Sequence, residues 1–187
     1  MTISRADLEA ESWAFALDVY ARPGVADACL KVQGEASVDV MMFLVVAFAF
    51  VRLHILLTPA EIREMDEACR LWREQIVWPL RAIRSRLKSG PSPAPSSETE
   101  QFRSNIKTVE LAAERLQNQL LTELLTKLLA DRASHGTLGQ SAVEADGLRS
   151  ALRSVVMHFL EKRGNKPIGE LVRSIDEIVD AVMQGAR

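Results

Sequence analysis

The chain has 187 residues and a formal net charge of −2. That is long enough to bury a real core within one domain, or one domain with an appendage. The charge excludes the strongly basic balance of a general nucleic-acid binder, and the polar start MTISRADLEAES carries neither the basic nor the apolar region of a secretory leader. A cytoplasmic location is expected.

In chain order, the first signal is an amphipathic helix from Leu8 to Tyr20, with Leu8, Trp13, Phe15, Ala16, Leu17 and Tyr20 on one broad face. Arg22-Pro23-Gly24 breaks it, since proline fixes its own φ and disfavours helix at the residue before. A short second helix spans Val25 to Gln33 and ends at Gly34. Ser37 is the expected N-cap of the next helix, with Asp39 in its first turn. That helix contains Val40 to Val51, twelve apolar residues in a row between Asp39 and Arg52, and runs to about Leu57. A membrane span needs about 20 such residues, so this one reads as a helix buried in a globular core. Apolar on every side, it must be wrapped by others.

Thr58-Pro59-Ala60-Glu61 is a capping box with proline at the first helical position. The helix it opens carries Ile62, Met65, Cys69, Leu71, Trp72, Ile76 and Val77 up to Pro79, where a kink or a break is expected. It continues from Leu80 to Leu87. The Pro- and Ser-rich stretch from Ser89 to Thr99, SGPSPAPSSET, reads as a flexible linker. The expected organisation is therefore a helical bundle over residues 1–89, a linker over 90–97, and a second part over 98–187 packed with the first as one unit.

From about Glu98 a long helix begins, in which Phe102, Ile106, Val109, Ala113, Leu116 and Leu120 form a heptad seam. Beyond Leu120 the stripe doubles. Leu121, Leu125 and Leu129 run beside Leu120, Leu124 and Leu128, and that second row is the expected interaction face, for another subunit or a partner. Gly136 ends the helix. A last pair, Ser141 to Lys162 and Pro167 to Met183, reads as a helical hairpin closed at Gly164 and Asn165. The fold class is all-α: a bundle around one buried apolar helix, with a long helix in the second half and a C-terminal hairpin.

Several segments together resemble a family of small, uncharacterised proteobacterial proteins. They are Trp13 to Gln33, WAFALDVYARPGVADACLKVQ; Val38-Asp39-Val40; Trp78-Pro79-Leu80-Arg81 with Arg84; and Glu110 with Ala113-Glu114-Arg115. The shared pattern is VYxxPGVxxACLxLQ, a DVN-type apolar helix, PLRxxR and ELxAER, over about residues 10–120. The resemblance implies a small helical protein with no assigned activity. Met41 stands where the pattern has Asn, and the hairpin after residue 138 is extra.

Motifs for chemistry are sparse. There is no phosphate-binding glycine loop, no Glu-x-x-His for a di-iron bundle, no cysteine spacing for zinc, and no aspartate-rich motif for a diphosphate enzyme. His54, His135 and His158 are isolated in sequence, and Cys29 and Cys69 read as buried reduced thiols. No catalytic residue, metal or cofactor is expected. What remains is electrostatic. Between Arg70 and Lys88 six basic residues, Arg70, Arg73, Arg81, Arg84, Arg86 and Lys88, face one acid, Glu74, with Trp72 and Trp78 among them. Arginine beside tryptophan suits an anion or a partner hot spot, so Arg73, Arg81, Arg84, Trp72 and Trp78 are the binding candidates. The competing reading pairs Arg81 and Arg84 with Glu110 and Glu114 on the long helix and makes the tryptophans core anchors. The expected function is a non-enzymatic adaptor or accessory protein that binds another protein or itself, with membrane contact at most peripheral. The alternative is a small ligand-binding protein or enzyme with an apolar pocket and an arginine anion site.

Overall fold

The computed structural model describes residues 5–134, 143–162 and 169–185, and every regular element in them is helical. The helices are α1 (Arg5–Tyr20), α2 (Val25–Ala36), α3 (Val40–Leu53), α4 (Pro59–Trp72), α5 (Trp78–Arg86), α6 (Ser97–Ser134), α7 (Ala145–Lys162) and α8 (Gly169–Gln184), with a π-helical turn, Arg73–Val77, joining α4 to α5. Expectations for His135, Gly136, Ser141, Gly164, Asn165, Pro167 and Ile168 fall outside the described residues.

The all-α class and the central apolar helix are as the residues dictate. All of Met41 to Val51 is buried. At about 1.5–3 kcal/mol for each large apolar side chain taken from water, this helix is the largest local source of stability, and it obtains that by being covered all round. α1, α6 and α7 lie against it, and Phe15 of α1 meets Phe48 edge to face at 5.7 Å. α4 closes over α6 and α7, while α8 packs on α2 and α7. One apolar core therefore runs through residues from both halves of the chain. No single described helix is long and apolar enough to cross a membrane, and α2 and α3 meet at 120°.

Several local details depart from expectation, each for a backbone reason. Helix α2 continues through Gly34 to Ala36, where Ser37, at φ 56°, ends it by donating its amide to Gln33 O. The N-cap of α3 is thus Asp39 rather than Ser37, with its Oδ1 accepting from the Met42 amide at 3.2 Å. Helix α3 stops at Leu53 because His54 turns left-handed, at φ 59°. The Thr58–Glu61 capping box forms in full, and Glu61 is held from outside by Arg132 at the far end of α6, at 2.6 Å. Pro79 neither breaks nor sharply ends its helix. The π turn before it bonds the Trp78 amide to Arg73 O, five residues back, which loosens the backbone where the proline ring would press on a carbonyl.

Helix α6 rotates away from its heptad seam. Phe102, Val109, Leu116 and Leu120 are exposed, whereas Glu110, Ala113, Gln117, Asn118, Leu121, Thr122 and Leu125 are buried. The proposed face at Leu121, Leu125 and Leu129 is therefore corrected: the first two are wholly enclosed, and Leu129 packs half-buried on the same core. Residues 121–129 have to cover α3, and that requirement turns the seam outward. The tryptophans are corrected as well. Trp13 and Trp72 are half-buried and Trp78 is 37% exposed, so none is a fully enclosed anchor.

Two glycines test this packing with opposite signs. A Cβ on Gly147 of α7 would lie 2.4 Å from Cζ of Phe50, a ring only 1% exposed, whereas one on Gly34 meets nothing within 4 Å. Alanine gains about 1 kcal/mol of helix propensity at either site, but at Gly147 overpacking costs about 1–3 kcal/mol. Gly34→Ala should raise the thermal midpoint by roughly 2–4 °C and Gly147→Ala should lower it, as read by circular dichroism melts.

Candidate functional site

The motif segments converge where the α2–α3 junction, the π turn, α5 and the middle of α6 meet. Asp39 is the hinge of this arrangement. One carboxylate oxygen caps α3; the other accepts from Arg73 Nη1 at 3.0 Å and from the Gln117 amide of α6. Arg73 is 3% exposed because it continues the buried face of α4, one turn after Cys69. Its guanidinium lies 5.5 Å from the Trp78 ring and 5.4 Å from the Phe159 ring, and its Nη1 also stands 2.7 Å from Asp66 Oδ1.

Two carboxylates around one guanidinium would leave an uncompensated negative charge in the interior. Helix α7 supplies the rest: His158 Nε2 lies 2.8 Å from Asp66 Oδ2, and Lys162 Nζ reaches the same oxygen. Burial by itself pushes the Asp66 carboxyl up, but the hydrogen bonds of His158 and Lys162 and the charge of Arg73 outweigh it and hold the group well below the usual carboxylate range.

Beside this cluster, α5 and α6 are joined by a second set of charges. Arg81 Nε donates to Glu110 Oε1 at 2.9 Å and its Nη2 to Glu114; Arg84 grips Glu110 with Nε and, at 3.1 Å, with Nη2. Glu110 is 5% exposed. Burial pushes it up, but the hydrogen bonds of Arg84 and Arg81 bring it below its ordinary value, whereas burial keeps the Glu114 carboxyl raised, with Glu110 and Asp39 adding to the effect. Trp72 donates its indole N–H to Ala113 O at 3.0 Å, fixing the other edge of the same seam.

The anion-binding candidates are thus corrected. Arg81 and Arg84 are committed to Glu110 and Glu114, as in the competing reading of the sequence; Arg73 is committed to Asp39 and Asp66, which that reading did not include, and the two tryptophans pack on Arg73 and α6. The cavity among Asp39, Arg73, Trp78, Arg81, Glu114 and Gln117 measures about 10 Å³, room for about one water. Burial pushes the Cys29 thiol up to about 12 and raises the Cys69 thiol too, so neither is a ready nucleophile. What this arrangement accomplishes is mechanical: it fixes the tilt and register of α5 on α6. Sequence reasoning placed Asp39 in a motif segment and at the start of α3 but gave it no partner, read His158 as isolated, and did not single out Asp66, Gln117 or Lys162. Asp66 and His158 lie 92 residues apart, and no local pattern links them.

Arg73→Met should cost about 3–5 kcal/mol, because it strands two buried carboxylates, and adding Asp66→Asn to it should recover part of that loss in urea melts. The pH dependence has a definite sign. Folding lowers the Asp66 pKa from its unfolded value of about 3.9, so its contribution is complete above about pH 5 and is lost on acidification through and below pH 4. Glu114, whose pKa is raised, acts in the opposite sense and weakens the trend. Stability should fall as pH drops below about 5, and Asp66→Asn should flatten that slope.

Comparison with known proteins adds a family. No curated protein and no solved structure matches. A family model described as a protein of unknown function, DUF2390, matches residues 11–121, which is well over half of the chain and takes in α2, α3, the π turn, α5, Glu110, Glu114 and Gln117, but not His158 or Lys162. The chain belongs to this family of proteins of unknown function.

Proposed function

We propose that this protein is a non-enzymatic adaptor that works through an apolar face on the α5–α6 helix pair, and that the occupant of this face is a second copy of the chain. The observation that carries the reading is a coincidence of two stripes. On α6, Phe102, Ile106, Val109, Leu116 and Leu120 lie roughly a quarter turn from the buried Glu110, Gln117 and Leu121. On α5 and the π turn, Ile76, Leu80, Ile83 and Leu87 lie roughly a quarter turn from Arg81 and Arg84. Arg84 pairs with Glu110, while Arg81 also reaches Glu114, so the helices run antiparallel. Viewed down each helix from its N-terminus, the apolar stripe is reached by turning the same way from the paired side. Antiparallel helices turned the same way present the same side.

Two helices with heptad stripes on one side are half of a four-helix bundle. The positions flanking the α6 stripe, Asn105, Ala112 and Gln119, are uncharged, so apposing two copies sets no like charges together there. The stripe from Phe102 to Leu120 is about 27 Å long and that from Ile76 to Leu87 about 17 Å, each on a helix about 10 Å wide. That is about 400 Å² in flat projection, within the ~300–600 Å² of the largest, often functional, apolar patch of a monomer and about half of the ~800 Å² per partner of a standard interface. A cytoplasmic setting and a protein rather than a nucleic-acid partner belong to the same proposal.

Light scattering after size exclusion should give twice the 20.8 kDa mass of the chain. Val109→Glu with Leu116→Glu, both at exposed positions, should give the single-chain mass with helicity unchanged. A wild-type protein that stays at the single-chain mass across the micromolar range overturns the second copy as occupant. Loss of helicity in the double variant would instead mean that the stripe is internal.

A further inference from the structure

A groove of about 490 Å³ runs between the start of α4 and the outer face of α7, lined by Pro59, Arg63, Arg149, Arg153, Met157 and His158, with Ser150 and Ser154 on its wall. Its volume is in the range of small-molecule sites, and it shares no lining residue with the Arg73 cavity. Most of the described arginines outside the groove are neutralised. Among the described residues Arg22, Arg70, Arg73, Arg81, Arg84, Arg103, Arg115, Arg132, Arg149 and Arg173 have carboxylate partners. Arg52, Arg63, Arg86 and Arg153 show none, and two of these four meet in this groove.

Two carboxylates share the lining, Asp146 and Glu161. Asp146 is taken by Arg149, which is also bound to Asp176 of α8 at 2.6 Å. Arg63 and Arg153 therefore outnumber the single uncommitted acid, Glu161. His158 is held in place from behind: its Nε2 is fixed on Asp66, which is fully buried and itself held by Arg73 and Lys162. Supporting groups of this kind are what orient a binding residue. Met157, 39% exposed, adds an apolar surface beside the charges.

We infer that this groove binds a soluble phosphorylated small molecule, with Arg63 and Arg153 forking onto the phosphate and Met157 against its apolar body. Guanidinium suits the phosphate because its planar donors bond two oxygens at once. This site is independent of the α5–α6 face, and either can stand without the other.

The test is calorimetric titration of the full-length protein with phenyl phosphate at fixed ionic strength. Saturable binding is expected for the wild type. Arg63→Gln with Arg153→Gln should weaken it by about tenfold or more. Arg52→Gln with Arg86→Gln removes the same charge from two arginines that do not line the groove and should leave the affinity within about twofold, since neither forks onto a phosphate bound there. All four arginines make no pair that folding depends on, so both variants should keep the wild-type melting temperature. Absence of saturable binding to the wild type, or an equal loss in both variants, overturns the site. Binding to phosphatidic-acid vesicles without any response to phenyl phosphate overturns the soluble ligand.

Discussion

The rest of the structure depends on where the Arg73 guanidinium sits. It lies between Asp39, which starts the central helix, and Asp66, which belongs to the helix packed across it, with aromatic rings of Trp78 and Phe159 close by. A charge at that depth is costly unless its partners are pre-arranged, and here every partner has another structural duty. Asp39 caps α3, Gln117 belongs to the inner face of α6, and Asp66 is shared with α7 through His158 and Lys162. A shift of any of these helices would unpair a buried charge as well as loosen apolar contacts. Apolar packing alone tolerates small slides between helices; a shared guanidinium does not.

Arg73 continues the buried face of α4, and the π turn begins at that residue. An uninterrupted α-helix through Pro79 would meet the proline ring against a carbonyl one turn earlier. The wider turn absorbs the conflict, and past it Ile76 and Trp78 face solvent. Local irregularity of this kind recurs where a helix serves a site. Here it also sets the start of α5, so that Arg81 and Arg84 arrive opposite Glu110 and Glu114. The outward apolar stripes are the consequence. The arginine–glutamate pairs take the facing surfaces of α5 and α6, and the hydrophobic rows are carried to one flank.

The same chain of contacts reaches the α4–α7 groove. His158 is at once a groove residue and a hydrogen-bonding partner of Asp66. It stands outside the segment matched by the family model, so this chain's own C-terminal helices complete the charge balance of a centre whose other members lie within that segment. Arg22 makes a comparable link at the opposite side, donating to the last carbonyls of α8 from the end of α1. In both places a charged side chain ties the C-terminal helices to the earlier part of the fold.

Local signals in the sequence determined the helical class, the burial of Val40 to Val51, the Thr58 capping box and the breaks at Pro23 and Gly24, because hydrophobic period, caps and turn residues act within a few positions. The motif residues Trp78, Arg81, Arg84, Glu110 and Glu114 were also legible as a group, and the pairing of arginine with glutamate was one of two open readings. Only tertiary structure decided between them, since which face of α6 turns inward depends on how many neighbours compete for it. The heptad from Phe102 to Leu120 describes a stripe but not its direction. The need of α3 for cover at Leu121 and Leu125 fixed the rotation, and that sent the stripe outward. The partners of Asp39 and Asp66 were unreadable for the same reason: a buried ion cluster assembled from α3, α4, α6 and α7 leaves no periodic trace in any one of them.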